Sequence, residues 1–139
     1  MLQGPQAQPL RVVAGLNQKK YLFVVSTGTA EPKKGFSPFY YAAASATMGF
    51  ETTMFFLAEG PSLIRKGAAA RIRVAKGGEP LKKVIDMALR SGVKLLCCTT
   101  AAKVIWNMNE EDLVSGVQFA GASTLLEMTA DPDMVVLYF

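Results

Sequence analysis

The stretch FYYAAASATMGFETTMFFLAEG, residues 39–60, places a helix pattern directly before a strand pattern. Its first half is rich in alanine, the residue with the highest helix propensity. Just upstream, Ser37 and Pro38 predict the helix start, because a hydroxyl caps a helix and proline is tolerated at the first helical position. Gly49 predicts the end of this helix. Residues 51–58 are mostly apolar and predict a strand.

The same alternation of helices and strands extends in both directions along the chain. Further strands are predicted at residues 21–26, 93–98, 117–119 and 134–138. Further helices are predicted at residues 79–91, 99–106 and 122–129. Alternating strands and helices indicate right-handed crossovers and a parallel sheet between two helical layers. The predicted fold class is therefore α/β, a three-layer αβα sandwich with a five-stranded, mostly parallel sheet.

The loops at one edge of this sheet are the expected place for function. In open parallel sheets the functional crevice lies beyond the carboxyl ends of the strands. Three segments are predicted to meet there: STGTAEPKKG (residues 26–35), a basic segment (residues 60–83), and CCTT (residues 97–100).

Length and composition indicate one folded domain. The chain has 139 residues, of which 50% are hydrophobic, and it carries no apolar run close to the ~20 residues that a membrane span needs. Residues 1–19 are rich in Gln, Pro and Gly and predict a flexible leader, whereas residues 20–139 form a single domain. The start of the chain lacks the layout of a signal peptide, and the two cysteines are adjacent. A reducing, cytoplasmic location is therefore expected.

The positive charge of the protein is concentrated in the basic segment. The net charge is +4, yet this segment holds seven basic residues against the single acid Glu79. We expect it to attract a small anion or an acidic partner, with a solvated loop as the alternative. Nucleic acid is not the expected partner, because the segment has no aromatic residue that could stack on a base.

The absence of histidine removes several classes of site. Without an imidazole there is no Ser-His-Asp or Cys-His pair and no histidine metal site. Two adjacent cysteines do not provide the usual zinc ligand spacing, so no metal and no cofactor are predicted. The STGT turn at residues 26–29 resembles the phosphate loop of flavodoxins, and an FMN-dependent electron carrier stays as an alternative.

The two thiols remain as the candidate chemistry. Cys97 and Cys98 end a predicted strand, and Thr99 or Thr100 is the expected cap of the next helix. A helix N-terminus stabilises a nearby negative charge by about 0.3–1 kcal/mol, so a full thiolate also needs a cation, which the basic segment could supply. Side chains alternate along a strand, so one thiol should face inward and the other the opposite side. Two buried core cysteines, or a redox-sensing pair, are the alternatives.

Several segments in order resemble the DsrE/DsrF family of small sulfur-relay proteins, in particular its TusD-like members. The resemblance covers residues 20–139. It rests on KYLFVVSTG (residues 20–28), the stretch 39–60 quoted above, GVKLLCC (residues 92–98) and EEDLVSGVQFAGASTLLEM (residues 110–128). In this register the reactive cysteine of the family falls on Cys98, and Cys97 occupies a position that is usually small and apolar.

The resemblance implies a sulfurtransferase-like carrier. Cys98 would hold a persulfide or thiosulfonate and pass it to a TusA-like sulfur carrier protein, within a homo-oligomer that is a trimer or a hexamer. Cys97 would be a second candidate thiol, and the amides of Thr99 and Thr100 would stabilise negative charge on sulfur. The anionic sulfur donor would be attracted by four cations of the basic segment: Arg65, Lys66, Arg71 and Arg73. Some relatives lack the cysteine, so a non-catalytic assembly subunit is the alternative.

Overall fold

The computed structural model describes residues 18–139, which form one five-stranded parallel sheet. The strands are β1 (Lys20–Val25), β2 (Glu51–Phe56), β3 (Lys94–Cys98), β4 (Gln118–Ala120) and β5 (Met134–Tyr138). Their order across the sheet is β4-β3-β2-β1-β5, and every neighbouring pair is parallel. The predicted α/β fold class is confirmed. The predicted leader lies outside the described residues, except for its last two positions.

Helices cover the two faces of the sheet unequally. The α-helices are α1 (Pro32–Thr47), α2 (Ala68–Arg71), α3 (Leu81–Arg90) and α4 (Ala122–Ala130). Strands β1 to β4 follow one another in one direction across the sheet, whereas β5 lies on the far side of β1. With right-handed crossovers, this reversal places α4 on the face opposite α1 and α3.

The side chains of the strands divide into two cores by simple alternation. Phe23, Val25 and Phe56 belong to the main core, which also contains residues of α1 and α3. Leu22 and Phe55 belong to a smaller core, against which residues of α4 pack. No residue of α4 is itself fully buried. The second face of the sheet is therefore covered by one nine-residue helix that packs only partly against it.

The start of α1 differs from the prediction. The helix begins at Pro32, and Pro38 lies buried inside it. Pro32 itself occupies the first turn, where its missing N–H costs nothing, and the amide of Gly35 donates to the carbonyl of Glu31 at 3.0 Å. Gly35 packs so closely on Leu63 that a Cβ would lie 2.8 Å from Leu63 Cδ2. Pro32 is the local signal for the earlier start, and the predicted start at Ser37–Pro38 is wrong because the helix accommodates Pro38 in its interior.

The basic segment is more ordered than a loop. It begins with a 3₁₀-helix, Gly60–Ile64, in which all five residues are buried, and it continues into the short helix α2. Gly60 packs against the end of β1, where a Cβ would overlap the carbonyl oxygen of Val25. The amide of Val114 donates to the carbonyl of Ile64 at 2.9 Å, which ties the segment to the chain before β4.

Candidate functional site

Cys98 stands at the carboxyl edge of the sheet, where β3 passes into a helical segment. Residues 99–105 are helical, and Ala101–Ile105 are wound as a π-helix. The amide of Trp106 donates to the carbonyl of Ala101, five residues earlier, at 3.1 Å. Single π-turns are rare and occur frequently at functional sites. The predicted helix after the cysteines is therefore present, in a form that the sequence pattern does not distinguish from an α-helix.

Cys97 points into the main core and has no exposed surface. Burial raises the pKa of the Cys97 thiol to about 12, and the adjacent Cys98 adds to the increase. Its Sγ lies 3.8 Å from the carbonyl oxygen of Cys98, to which the protonated thiol can donate a weak hydrogen bond. A thiol that stays protonated and has no solvent contact is a poor nucleophile, because the thiolate is the reactive form.

Cys98 points to the opposite face and remains partly exposed. It packs at the margin of the smaller core, against which Ala120 and Leu125 also pack. Ala120 is its direct partner across the β3–β4 ladder, and α4 begins at Ala122, two residues further on. Two helical segments thus begin next to Cys98: the segment that directly follows it in the chain, residues 99–105, and α4. Their first amides have no partners within the helix, so both ends carry partial positive charge.

The hydroxyl of Thr99 has a different role from the predicted cap. No threonine side chain caps the helical segment, so that expectation is wrong. Thr99 Oγ1 instead donates to the carbonyl of Ala120 at 3.3 Å. Because Ala120 is the ladder partner of Cys98, this bond ties the beginning of the helical segment to β4. The role assigned to the Thr99 and Thr100 amides stays a prediction.

Arg65 reaches the far end of the π-helix. Its Nη2 donates to the carbonyl of Trp106 at 3.0 Å, and its Nε lies 3.1 Å from Met108 Sδ. The indole of Trp106 in turn donates to the carbonyl of Ala58 at 2.8 Å, just after β2. Arg65 therefore holds the end of the segment that starts at Cys98, which joins the basic segment to the thiol-bearing element through the π-helix.

The other three predicted cations lie among residues of their own segment and of the loop before β4. The Arg71 guanidinium lies beside Gly67, and Arg73 Nη1 donates to the carbonyl of Gly78 at 3.0 Å. Lys66 lines a small cavity of about 350 Å³ together with Glu111 and Asp112. Within residues 18–139, no hydrogen bond joins any of these side chains to Cys98. Their attraction of an anionic donor stays a prediction.

Lys103 is a cation that the sequence reasoning missed. It lies on the π-helix, and its Nζ is 5.6 Å from the centroid of the Phe119 ring. Phe119 is the β4 partner of Cys97 and packs against the main core, so this ammonium group lies on the Cys97 face of the sheet, opposite to the face that Cys98 occupies. The signal was a lysine in the first turn after CCTT. Val104 and Ile105 follow it and are 76% and 59% exposed, which is unusual for large apolar side chains.

The STGT turn packs against the chain that follows β2. The amide of Thr29 donates to Ser62 Oγ at 3.0 Å, and Ser62 Oγ donates to the carbonyl of Glu59 at 2.7 Å. A Cβ on Gly28 would lie 2.5 Å from both Glu59 O and Ser62 Oγ. One amide of the turn, that of Thr29, is therefore already used in a hydrogen bond within the protein. This arrangement does not favour the phosphate-loop interpretation, since that amide is not free for a phosphate.

A separate cavity of about 720 Å³ opens at the opposite edge of the sheet. Lys20, Thr53, Lys94 and Asp131 line it, and Lys20 Nζ lies 3.0 Å from Asp131 Oδ2. Cys98 does not line it. The cavity therefore does not belong to the thiol site. Within residues 18–139 there is also no group of three or more Cys, Asp or Glu side chains that could hold a metal ion.

This geometry defines the protein as an α/β protein with one partly exposed thiol at the carboxyl edge of a parallel sheet. The model of the DsrE/DsrF-like family matches residues 19–138, and the chain belongs to that family. An uncharacterized protein of Methanocaldococcus jannaschii, MJ0760, is 30% identical in an alignment of 117 positions that covers 81% of this chain. The chain spans 41% of the length of that relative.

Two solved structures share the fold. The ychN protein of E. coli superposes with a TM-score of 0.67 at 18% identity, over 87% of this chain and 99% of that one. A protein of unknown function from Methanobacterium thermoautotrophicum, MTH1491, gives 0.63 at 11% identity over the same shares. At these identities the likeness shows the fold alone. In the part of the chain that the structure describes, no helix is both long and apolar enough to cross a membrane.

Proposed function

We propose that the protein is a sulfur carrier that holds a sulfane sulfur on Cys98 and passes it to a partner thiol. The observation that carries the proposal is the contrast between the two cysteines. Cys98 is partly exposed at the functional edge of the sheet, whereas Cys97 has 0% exposure and a thiol pKa of about 12. Membership of the DsrE/DsrF-like family, which is linked to sulfur relay, supports the same role.

The proposed transfer needs only thiol–disulfide-type exchange. The Cys98 thiolate attacks the outer sulfur of a donor persulfide, an S–S bond forms on Cys98, and the donor thiolate leaves. In the second step an acceptor thiolate attacks the outer sulfur of Cys98–S–SH. The acceptor then carries the persulfide, and Cys98 leaves as a thiolate. Neither step requires histidine, because the leaving group in each is a thiolate that departs without a proton.

The residues around Cys98 have separate roles in this proposal. The amides of Thr99 and Thr100, with the start of α4, would stabilise negative charge on the carried sulfur. Lys103, on the π-helix that follows Cys98, adds to the positive charge of this edge, although its ammonium group lies on the Cys97 face of the sheet. Arg65, Lys66, Arg71 and Arg73 would draw an anionic donor towards this edge through their summed charge rather than by direct contact.

The acceptor in this proposal is a TusA-like sulfur carrier protein. Val104 and Ile105 support a protein partner, since exposed apolar side chains next to a reactive group mark interaction surfaces. A reducing cytoplasm is the proposed location, because a relay thiol must be kept from forming disulfides. A homo-oligomer is the proposed assembly state.

Intact-mass spectrometry tests the proposal. After incubation with polysulfide, the wild-type protein should gain about 32 Da, and after tetrathionate about 112 Da, the masses of one sulfur and one thiosulfonate group. Both adducts should be reversed by reductant and absent from Cys98→Ser. Cys97→Ser is the matched control and should label like wild type. An adduct that persists in Cys98→Ser and disappears in Cys97→Ser would overturn the assignment.

A non-catalytic assembly subunit is the second candidate. The observation that favours it is the set of exposed apolar side chains away from Cys98, among them Tyr40, Tyr41 and Tyr138, each more than half exposed. Such surfaces suit a subunit whose task is to assemble with others. In that case neither cysteine of the native protein should accept sulfur from polysulfide.

A further inference from the structure

Strand β5 presents an unprotected edge. It is the last strand of the sheet on the β1 side, and within residues 18–139 no strand pairs with its outer edge. Natural edge strands are usually protected by charged side chains, proline or bulges, because open edges pair with other strands. The sequence of β5, MVVLY, contains none of these features. Such an edge is expected to be covered in the functional protein.

The backbone groups that face outward can be assigned from the β1–β5 ladder. The amide of Phe139 donates to Val24 O at 2.8 Å, its carbonyl accepts from Ser26 N at 2.7 Å, and Asp133 O accepts from Lys20 N at 3.0 Å. Backbone groups alternate in direction along a strand, so odd-numbered residues of β5 face β1. The carbonyl of Met134 and the N–H and C=O groups of Val136 and Tyr138 therefore point to the open edge, whereas the amide of Met134 donates to the carbonyl of Asp131 at 3.0 Å.

Apolar side chains flank this edge on both faces of the sheet. Val136 and Tyr138 lie on the α4 face and are 43% and 69% exposed. Leu137 lies on the α1 face, next to Tyr41 and Met48, which are 55% and 49% exposed. These three residues line an apolar groove of about 340 Å³ between α1 and β5. The patch is continuous around the edge, as expected of an interface rather than of scattered surface residues.

We infer that β5 pairs with β5 of a second copy of this chain, antiparallel and centred on Val136. In this register Val136 faces its own copy, and Met134 faces Tyr138. The free N–H of Val136 then meets the C=O of Val136 in the other copy, and the free N–H of Tyr138 meets the C=O of Met134. The result is four hydrogen bonds between the two copies.

The side chains are self-complementary in the same register. Met134 meets Tyr138 on the α4 face, a sulfur–aromatic pairing, and Val135 meets Leu137 on the α1 face. No charged side chain of β5 faces another, because the strand has none. This neutral and symmetric pattern favours a second copy over a charged partner protein as the occupant.

The inference restricts the symmetry of the assembly. An isologous β5–β5 contact has a two-fold axis, which makes a ten-stranded sheet across two copies and allows a dimer or a hexamer. It excludes a closed trimer that uses this contact. Strand β3 is separated from β5 by β2 and β1, so the pairing leaves the Cys98 edge open. The β5–β5 pairing can therefore be tested independently of the proposed sulfur transfer.

Light scattering coupled to size-exclusion chromatography tests the inference on the full chain. The wild-type protein should elute as an even multiple of 15.0 kDa. Val136→Lys should halve that mass, because it places two ammonium groups on the two-fold axis. Val104→Lys, which adds the same charge at an exposed apolar site far along the chain, should leave the mass unchanged. A monomeric or trimeric wild type, or a Val136→Lys variant of wild-type mass, would overturn it.

Disulfide trapping provides a second measurement that does not depend on dissociation. In a Cys98→Ser background, Val136→Cys should cross-link two copies under mild oxidation, since opposed residues of an antiparallel pair have Cα atoms about 5.5 Å apart, within disulfide range. Val104→Cys in the same background is the matched control and should stay largely uncross-linked at the same protein concentration. Equal cross-linking of the two variants would contradict the pairing.

Discussion

The difference between the two cysteines predicts that one thiol of the native protein reacts with a small reagent and the other does not. The perturbation is titration of the native protein with a chromogenic disulfide reagent at pH 8. Cys98 is partly exposed and should react within minutes. Cys97 is fully buried and should react only when the protein opens.

The expected ratio of rates follows from ionisation. With a thiol pKa of about 12, about one Cys97 side chain in 10⁴ is a thiolate at pH 8, whereas an ordinary thiol of pKa 9.0 is ionised to about a tenth. Since only the thiolate attacks, ionisation alone slows Cys97 by about 10³-fold. Burial slows it further, because the reagent must reach a side chain with 0% exposure.

The assay measures the coloured thiolate that the reagent releases, one equivalent for each protein thiol that reacts. Native wild type and native Cys97→Ser should each give one equivalent rapidly, and native Cys98→Ser should give none. Denatured wild type should give two. The denatured sample controls for oxidised protein. Two equivalents at similar rates from the native wild type, or a rapid equivalent from native Cys98→Ser, would refute the structural assignment of the reactive thiol.

The remaining predictions concern stability. The folded protein keeps Cys97 protonated up to a pKa of about 12, whereas the unfolded chain ionises near 9.0, so the stabilisation is complete below pH 9 and is lost as the pH rises towards 12. Urea unfolding at pH 8 and 10.5 should show a loss of about 2 kcal/mol from this thiol, and Cys97→Ala should show a correspondingly smaller loss; equal losses would contradict the burial. Gly60→Ala should lower the free energy of unfolding by about 2–3 kcal/mol, because its Cβ would overlap the carbonyl oxygen of Val25. Gly121→Ala, where nothing lies within 4 Å of the added Cβ, should lower it by less than about 1 kcal/mol in thermal or urea unfolding, since only the preference of the α4 N-cap for glycine over alanine is lost. Equal losses in both variants would contradict the packing of Gly60.

The order of the elements could be predicted from the sequence because its signals are local. Strand β5 was predicted with its observed bounds, Met134–Tyr138, and α3 within two residues at its start. Gly49, predicted as a helix end, has a positive φ of 94°, a conformation that glycine adopts without strain, and Gly92, just after α3, has one of 93°. The start of α1 was predicted six residues too late, because Pro32 and Pro38 each fit a first helical turn and local signals do not decide between them.

The environments of the two cysteines could likewise be predicted only in part. Adjacent residues of a strand must face opposite sides, so the sequence already determined that Cys97 and Cys98 occupy different environments. It did not determine which of them is buried, because that depends on which helices cover each face of the sheet. The main core on the α1 and α3 side encloses Cys97, and the single short helix α4 leaves Cys98 partly uncovered.

Composition alone determined the charge of the basic segment, the lack of histidine and the apolar character of β5. Tertiary structure decided where each charge lies: Arg65 binds the end of the π-helix, and Arg73 folds back on its own segment. It also decided that β5 is an edge strand, because the chain returns past β1 only after β4 is complete. The physical reason is that periodicity and turn residues act within a few positions, whereas burial and exposure are set by contacts between segments far apart in the chain.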